Sequence, residues 1–134
     1  MTRFVTDTHA LYWHLTQDLR LSPAARQIFQ DADAGKNQIL IPGIILIELI
    51  YLIEKGRIDA SSLAKTLDLL DTVNGSYSVA ALDHHTAKAL QQIPRLAVPD
   101  MPDRIITATA LQHNLPLITK DDDIRKSAIV ITLW

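Results

Sequence analysis

Short runs of β-type residues alternate along the chain with longer segments that carry helix start and stop signals. Phe4-Val5-Thr6 is an apolar run that ends at Asp7, and His9 to Leu15 reads as a first helix. Ser22-Pro23 marks a helix start, Ser as N-cap and Pro at the first helical position. It opens a helix from about Ala24 to Ala34, ended by Gly35. Gln38 to Ile41 reads as a second strand. Pro42-Gly43 then leads into a helix from about Ile44 to Lys55, with Gly56 placed to end it. Ser61 or Ser62 is expected to cap a helix through Leu70, whose Lys65, Asp68 and Asp71 give it an exposed face. Tyr77 to Ala80 is a third strand, followed by a helix from Asp83 to Gln91.

Asp100-Met101-Pro102-Asp103 opens a helix to about His113, and Asn114 is suited to a left-handed stop before Pro116. Leu117-Ile118-Thr119 is a fourth strand, Asp121-Asp122-Asp123 begins a short helical turn, and Ile129 to Thr132 is the last strand. Strands separated by helices require crossover connections, which favour a mostly parallel sheet covered on both faces. The expected class is therefore α/β, with a central sheet of about five strands. No repeat, low-complexity segment or linker interrupts residues 1–134, so one domain is expected.

Composition narrows the chemistry. The chain has 134 residues, 48% hydrophobic and 21% charged, which is a globular balance and excludes disorder. A chain of this size buries roughly 65–70% of its unfolded surface, enough for a core without staples. With no cysteine, disulfides, thiolate metal sites and a catalytic thiol are excluded. Thirteen Lys and Arg against fifteen Asp and Glu leave a net charge of −2, so bulk charge does not draw in a polyanion. Ile39 to Ile53 is the most apolar stretch. It holds Pro42, Gly43 and Glu48 and falls short of the roughly 20 apolar residues of a membrane span. The expectation is a cytoplasmic protein with no membrane partner.

Several acids occupy positions that structure alone explains incompletely. Asp7 directly follows the first strand, where α/β sheets bind ligands, although Asp also serves as a helix N-cap. Glu48 interrupts the aliphatic helix Ile44 to Ile53, whose all-round apolarity predicts burial on every side. No basic residue lies three or four positions away, so a local ion pair is not available to offset the cost of burying a carboxylate. Asp100 and Asp103 share one helix start, which needs only one of them as a cap. Asp121 repeats the theme after the fourth strand, and Asp123 competes with it for any functional role. Carboxylates gathered at one edge repel one another unless a cation intervenes, and an all-oxygen set suits Mg²⁺ or Mn²⁺ and not Zn²⁺. Such ions bridge phosphate oxygens and activate water, which would also answer the charge problem. Arg104 and Lys120 flank these acids and are placed to touch phosphate.

Other chemistries lack their motifs. The five histidines form no H-E-x-x-H pattern, and nucleophile-elbow, P-loop and dinucleotide fingerprints are absent. Core or surface positions are expected for His9, His14, His84, His85 and His113.

From end to end the chain resembles the PIN-domain ribonucleases, in particular the toxins of VapBC toxin–antitoxin modules. The resemblance is carried by Thr6-Asp7-Thr8-His9-Ala10-Leu11-Tyr12-Trp13, Leu21-Ser22-Pro23-Ala24-Ala25-Arg26, Ile47-Glu48-Leu49 and Glu54-Lys55-Gly56-Arg57. Asp100-Met101-Pro102-Asp103-Arg104-Ile105-Ile106-Thr107-Ala108-Thr109-Ala110 and Leu117-Ile118-Thr119-Lys120-Asp121 complete it. The resemblance implies a PIN-like fold whose catalytic, metal-holding acids fall on Asp7, Glu48, Asp103 and Asp121. Asp100 would assist the metal, and Thr119 stands where the family has a hydroxyl near it. Ile44-Ile45-Leu46-Ile47 is more aliphatic than the family's usual stretch before the Glu, and Asp122 and Asp123 add charge where many relatives have fewer acids, which leaves Asp121 and Asp123 both open as the ligand. The resemblance further implies Mg²⁺- or Mn²⁺-dependent hydrolysis of RNA, a homodimer, and inhibition by a cognate VapB-type antitoxin. The aliphatic helix then reads equally as a subunit or antitoxin interface and as a buried core helix.

Two other readings compete. A receiver-type signalling domain also gathers acids around Mg²⁺, but Asp7 has no acidic neighbour and only Asp83 fits a phosphorylatable position. A PIN-like module that binds RNA or protein without cutting it is the other, and four filled acid positions argue against it.

Overall fold

A computed structural model describes all residues from Met1 to Trp134. The run Thr2–Thr6 forms β1, and its apolar inner half pairs on both sides, which is why Phe4, Val5 and Thr6 are buried. β2 (Asn37–Pro42) lies parallel on one flank, Val5 opposite Leu40, and β4 (Leu117–Ile118) lies parallel on the other, Val5 opposite Leu117. With β3 (Tyr77–Ala80) and β5 (Thr132–Leu133) outside them, all pairs parallel, the sheet has five strands in the order β3-β2-β1-β4-β5.

A parallel sheet is covered on both faces, so its strands read as unbroken apolar runs. Ile39, Leu40 and Ile41 are such a run, at most 3% exposed. Seven helices supply the cover: α1 (Thr8–Leu15), α2 (Pro23–Asp33), α3 (Gly43–Glu54), α4 (Ser61–Asp71), α5 (His84–Gln91), α6 (Met101–His113) and α7 (Asp122–Ser127). Leu11, Phe29, Ile45, Leu49 and Ile106 project from them into the core. No helix is long and apolar enough to cross a membrane.

The strand order has one functional consequence. The chain builds outward from β1 through β2 to β3, then α6 carries it back to β4 and β5 on the other side. Connections therefore diverge at the carboxyl ends of β1 and β4, opening a crevice there. Asp7 follows β1, and Thr119 follows β4.

Many local signals act as the chain pattern predicts. Ser22 Oγ accepts from the Ala25 N–H at 3.1 Å with Pro23 beginning α2. Gly56 takes a left-handed φ of 69° just past α3, and Asn114 ends α6 at φ 52°. Three expectations need correction. Neither Ser61 nor Ser62 caps α4: Asp59 accepts from the Ser61 N–H at 2.7 Å, and Ser62 is buried inside the helix. The last strand is Thr132–Leu133 instead of Ile129 to Thr132. α7 runs on to a left-handed stop at Ala128, so Ile129 to Ile131 is spent returning to the sheet edge.

The third correction concerns α3. It is not buried on every side: Ile45 and Leu49 are fully buried, while Ile47 is 50% and Tyr51 59% exposed. As an outer-layer helix it has one face against the sheet and one face outward. That removes the buried-core explanation of its aliphatic sequence.

Candidate active site

Asp7 is placed by the sheet before its side chain does anything. Its backbone N–H donates to Ile118 O at 3.1 Å, which ties the residue to the end of β4. One carboxylate oxygen, Oδ1, then accepts from the Ala10 N–H at 2.9 Å as the N-cap of α1. The other, Oδ2, accepts from Thr119 Oγ1 at 2.5 Å. The cap and the cleft position are thus one and the same residue. Asp7 is 6% exposed, and burial raises its pKa against the hydrogen bonds from Thr119 and Ala10.

Thr119 connects the first acid to the last. Its hydroxyl donates to Asp7 and its oxygen accepts from the Asp121 N–H at 3.0 Å. Asp121 in turn caps α7, Oδ2 accepting from the Ile124 N–H at 2.9 Å. Glu48, half-buried on α3, accepts a hydrogen bond from the Thr8 hydroxyl. Its pKa is raised by burial first and by Asp100 beyond that. Asp100 is the N-cap of α6, accepting from the Asp103 N–H at 3.1 Å.

Asp103, in the first turn of α6, registers the whole arrangement. Burial pushes its carboxyl up to about 8, with Asp100, Asp121, Asp7 and Glu48 all adding repulsion. These five acids line one cleft of about 430 Å³ together with Thr8, His9, Trp13 and Lys120. Four separate segments deliver them: the β1–α1 junction, the middle of α3, the start of α6 and the loop after β4.

No group of three or more His, Asp or Glu side chains is drawn in to metal-holding distance of a common point. The acids stand along the walls of the cleft. Their chemistry nonetheless fits a hard divalent cation: every donor is an oxygen, and the repulsion that adds to burial in raising Asp103 is what such a charge relieves. Mg²⁺ keeps several waters and needs only one or two carboxylates, so a closed protein cage is not required.

Two sequence-level site residues lie elsewhere. Arg104 turns away from the cleft: Nη2 donates to Ile93 O at 2.8 Å and Nε to the same oxygen at 3.2 Å, clamping the end of α5 to α6. Asp123 is exposed on the first turn of α7 and does not line the cleft, whereas Asp121 does. Asp122 is exposed beside it. Conversely, Thr8, His9 and Trp13 line the cleft, three residues that the sequence pattern does not mark as part of a site. Their signal was adjacency to Asp7 together with the i, i+4 spacing that puts His9 and Trp13 on one face of α1.

A fold of this strand order with an acid cleft at its switch point defines an α/β class that matches known proteins. Residues 4–130 match the family model of the PIN domain, and the chain belongs to that family. It is 35% identical, over the full length of both chains, to Ribonuclease VapC22 of Mycobacterium tuberculosis. Solved structures share the fold. VapBC2 from Rickettsia felis bound to a promoter DNA fragment aligns at TM-score 0.71 and 15% identity, covering 98% of each chain. DNA-bound VapBC from Salmonella typhimurium aligns at TM-score 0.62 and 20% identity, covering 99% of this chain and 98% of that one.

Proposed function

We propose that this chain is a metal-dependent endoribonuclease, one PIN domain over residues 1–134, acting as the toxin of a type II toxin–antitoxin pair. The observation that carries the reading is the convergence of Asp7, Glu48, Asp100, Asp103 and Asp121 on one cleft, with mutual repulsion concentrated on Asp103. The full-length relationship to a ribonuclease supports the reaction class, and the VapBC structural neighbours support an antitoxin partner of the VapB kind. The exposed outer face of α3, with Ile47, Ile50 and Tyr51, supports a subunit or antitoxin interface and with it a homodimer. A cytoplasmic location goes with an RNA substrate.

Asp7, Glu48, Asp103 and Asp121 would hold Mg²⁺ or Mn²⁺, with Asp100 assisting. When bound, the ion supplies positive charge against phosphate oxygens and makes water a better nucleophile. The protein's own contribution is placement. Thr119 fixes Asp7 and Asp121 relative to each other, and Thr8 fixes Glu48 across from them. In the reaction a water oxygen bonds to phosphorus and the bond from phosphorus to the 3′ oxygen breaks. A proton passes to that oxygen, leaving a 5′-phosphate and a 3′-hydroxyl. Deprotonated acids are needed to hold the ion, so cleavage should strengthen as pH rises and Asp103 ionises.

The test is cleavage of a mixed cellular RNA pool by purified protein with Mg²⁺, with Mn²⁺ and with EDTA, beside Asp103→Asn. Discrete products with either metal, absent with EDTA and in the variant, are expected. Cleavage that persists in EDTA or in the variant would overturn the metal mechanism. A folded, metal-loaded, antitoxin-free protein that cuts nothing would favour a binding-only PIN module.

A further inference from the structure

Lys120 is the one permanently cationic residue lining the acid cleft. It adjoins Asp121 in sequence and shares the cleft with the other acids, yet it pairs with none of them. The ion pairs present join His14 to Asp33 and Arg20 to Asp18. The Lys120 ammonium stands instead over the indole of Trp13, 5.8 Å from the ring centroid. A flexible cation among five carboxylates would be drawn onto them unless another attraction competed. The negative face of an indole supplies one.

The same ring carries a second cation. The Arg20 guanidinium lies 5.0 Å from the Trp13 centroid. Its Nε and Nη2 donate to the two oxygens of Asp18 at 3.0 and 2.7 Å, which orients the fork while 61% of the side chain stays exposed. Trp13 itself is 8% exposed and is braced by His9, one turn earlier at 5.6 Å, and by Trp134 at 5.8 Å edge to face. It is a rigid mount at the rim of the cleft.

We propose that Lys120 and Arg20, mounted on the Trp13 ring, form a phosphate-binding strip for the RNA backbone next to the phosphate being cut. The assignment rests on the ribonuclease reading above. A divalent ion would compensate the acids at the scissile phosphate, but phosphates on either side would still approach an acidic rim on a chain of net charge −2. Lys120, which pairs with no acid, and Arg20, whose pair is with Asp18 outside the cleft, meet that need. The Arg20 Nη1, which Asp18 does not engage, and the Lys120 ammonium each suit a phosphate oxygen.

The test measures anisotropy of a short fluorescein-labelled single-stranded RNA of mixed sequence with the Asp103→Asn protein in Mg²⁺, over a range of salt. Adding Lys120→Gln or Arg20→Gln is expected to weaken binding about 5-fold each. Each should also lower the slope of log K against log salt by about 0.7, the signature of one lost phosphate contact on a single strand. Lys120→Arg should restore both. Lys36→Gln, at the opposite edge of the sheet, should change neither. In the active protein the loss from Lys120→Gln should fall on KM. A lowered melting temperature with an unmoved salt slope in both Gln variants would reduce the two contacts to structural ones and overturn the strip, even while the unmodified protein cuts RNA. If the unmodified protein neither binds nor cuts RNA, the ribonuclease reading falls and the strip with it.

Discussion

The two edges of the sheet gather ionisable side chains in opposite ways. At the amino edge, a pocket of about 920 Å³ is lined by His14, Asp33 and Tyr77 among others. There one acid serves two partners: Asp33 accepts from Tyr77 Oη at 2.7 Å and meets His14 Nε2 at 3.0 Å, while His14 stacks on Phe29 at 4.6 Å. Burial and the bond to Asp33 push the Tyr77 phenol well above its usual range, so it stays a neutral donor. At the carboxyl edge a smaller cleft of about 430 Å³ holds five acids, none of them in an ion pair. The larger pocket is a satisfied structural network. The smaller one stores unrelieved repulsion, and unmatched charge in a cleft marks chemistry more reliably than volume does.

The largest effect expected from this contrast is at Asp103. Asp103→Asn should lower RNA cleavage by about 10³-fold or more, as loss of a central catalytic group does. In the same variant, without metal, the melting temperature should rise by a few degrees, because a repelled carboxylate has been removed. A calorimetric scan in EDTA checks the second half. A lower melting temperature would mean that the acids are not in conflict.

Thr119→Val comes next. It deletes the hydroxyl that spans Asp7 and Asp121, and supporting groups of this kind cost about 10- to 100-fold when removed. Single-turnover cleavage rates would read this, and an unchanged rate would separate Thr119 from the site. At the other edge, Tyr77→Phe deletes the bond to Asp33 and should cost about 1 kcal/mol in urea unfolding. Cleavage should be unaffected by it, and a comparable loss of activity would erase the distinction between the edges.

The pH response sharpens the comparison further, because the edges should differ in sign. Asp103 releases its proton near 3.8 when unfolded but near 8 in the metal-free fold. The folded state therefore holds the extra proton between those values, and stability falls as pH rises through that window. Asp7 and Glu48, both raised, act in the same direction. His14 is shifted down by burial from 6.5, so the unfolded chain binds its proton more readily and stability falls as pH drops below that value. Melting temperatures in EDTA across the range, repeated in Asp103→Asn and with Mg²⁺, should show the high-pH decline shrink in both cases. A decline unchanged by either would place its origin outside the cleft.

Much of this molecule was written locally. Ser22-Pro23, Gly56 and Asn114 act through their own backbone preferences and nearest neighbours, so the chain alone announces where those helices begin or end. Asp7, Asp100 and Asp121 likewise declare themselves as helix caps after a strand or turn, and the alternation of strands and helices implies a parallel sheet. Tertiary structure decided the rest. Whether a cap also faces a cleft depends on strand order, and β4 beside β1 brings Thr119 to Asp7 across 112 positions of sequence. Thr8 finds Glu48 across 40. Arg104, adjacent to an acid in sequence, points to the Ile93 carbonyl just past α5 because side-chain direction follows helix packing and not chain proximity. The outward face of α3 was equally invisible, since an all-apolar helix has no polar side to mark which face the sheet covers. Local preferences act over a few bonds and are legible in the residues. The repulsion among five acids exists only where the packed sheet holds them together.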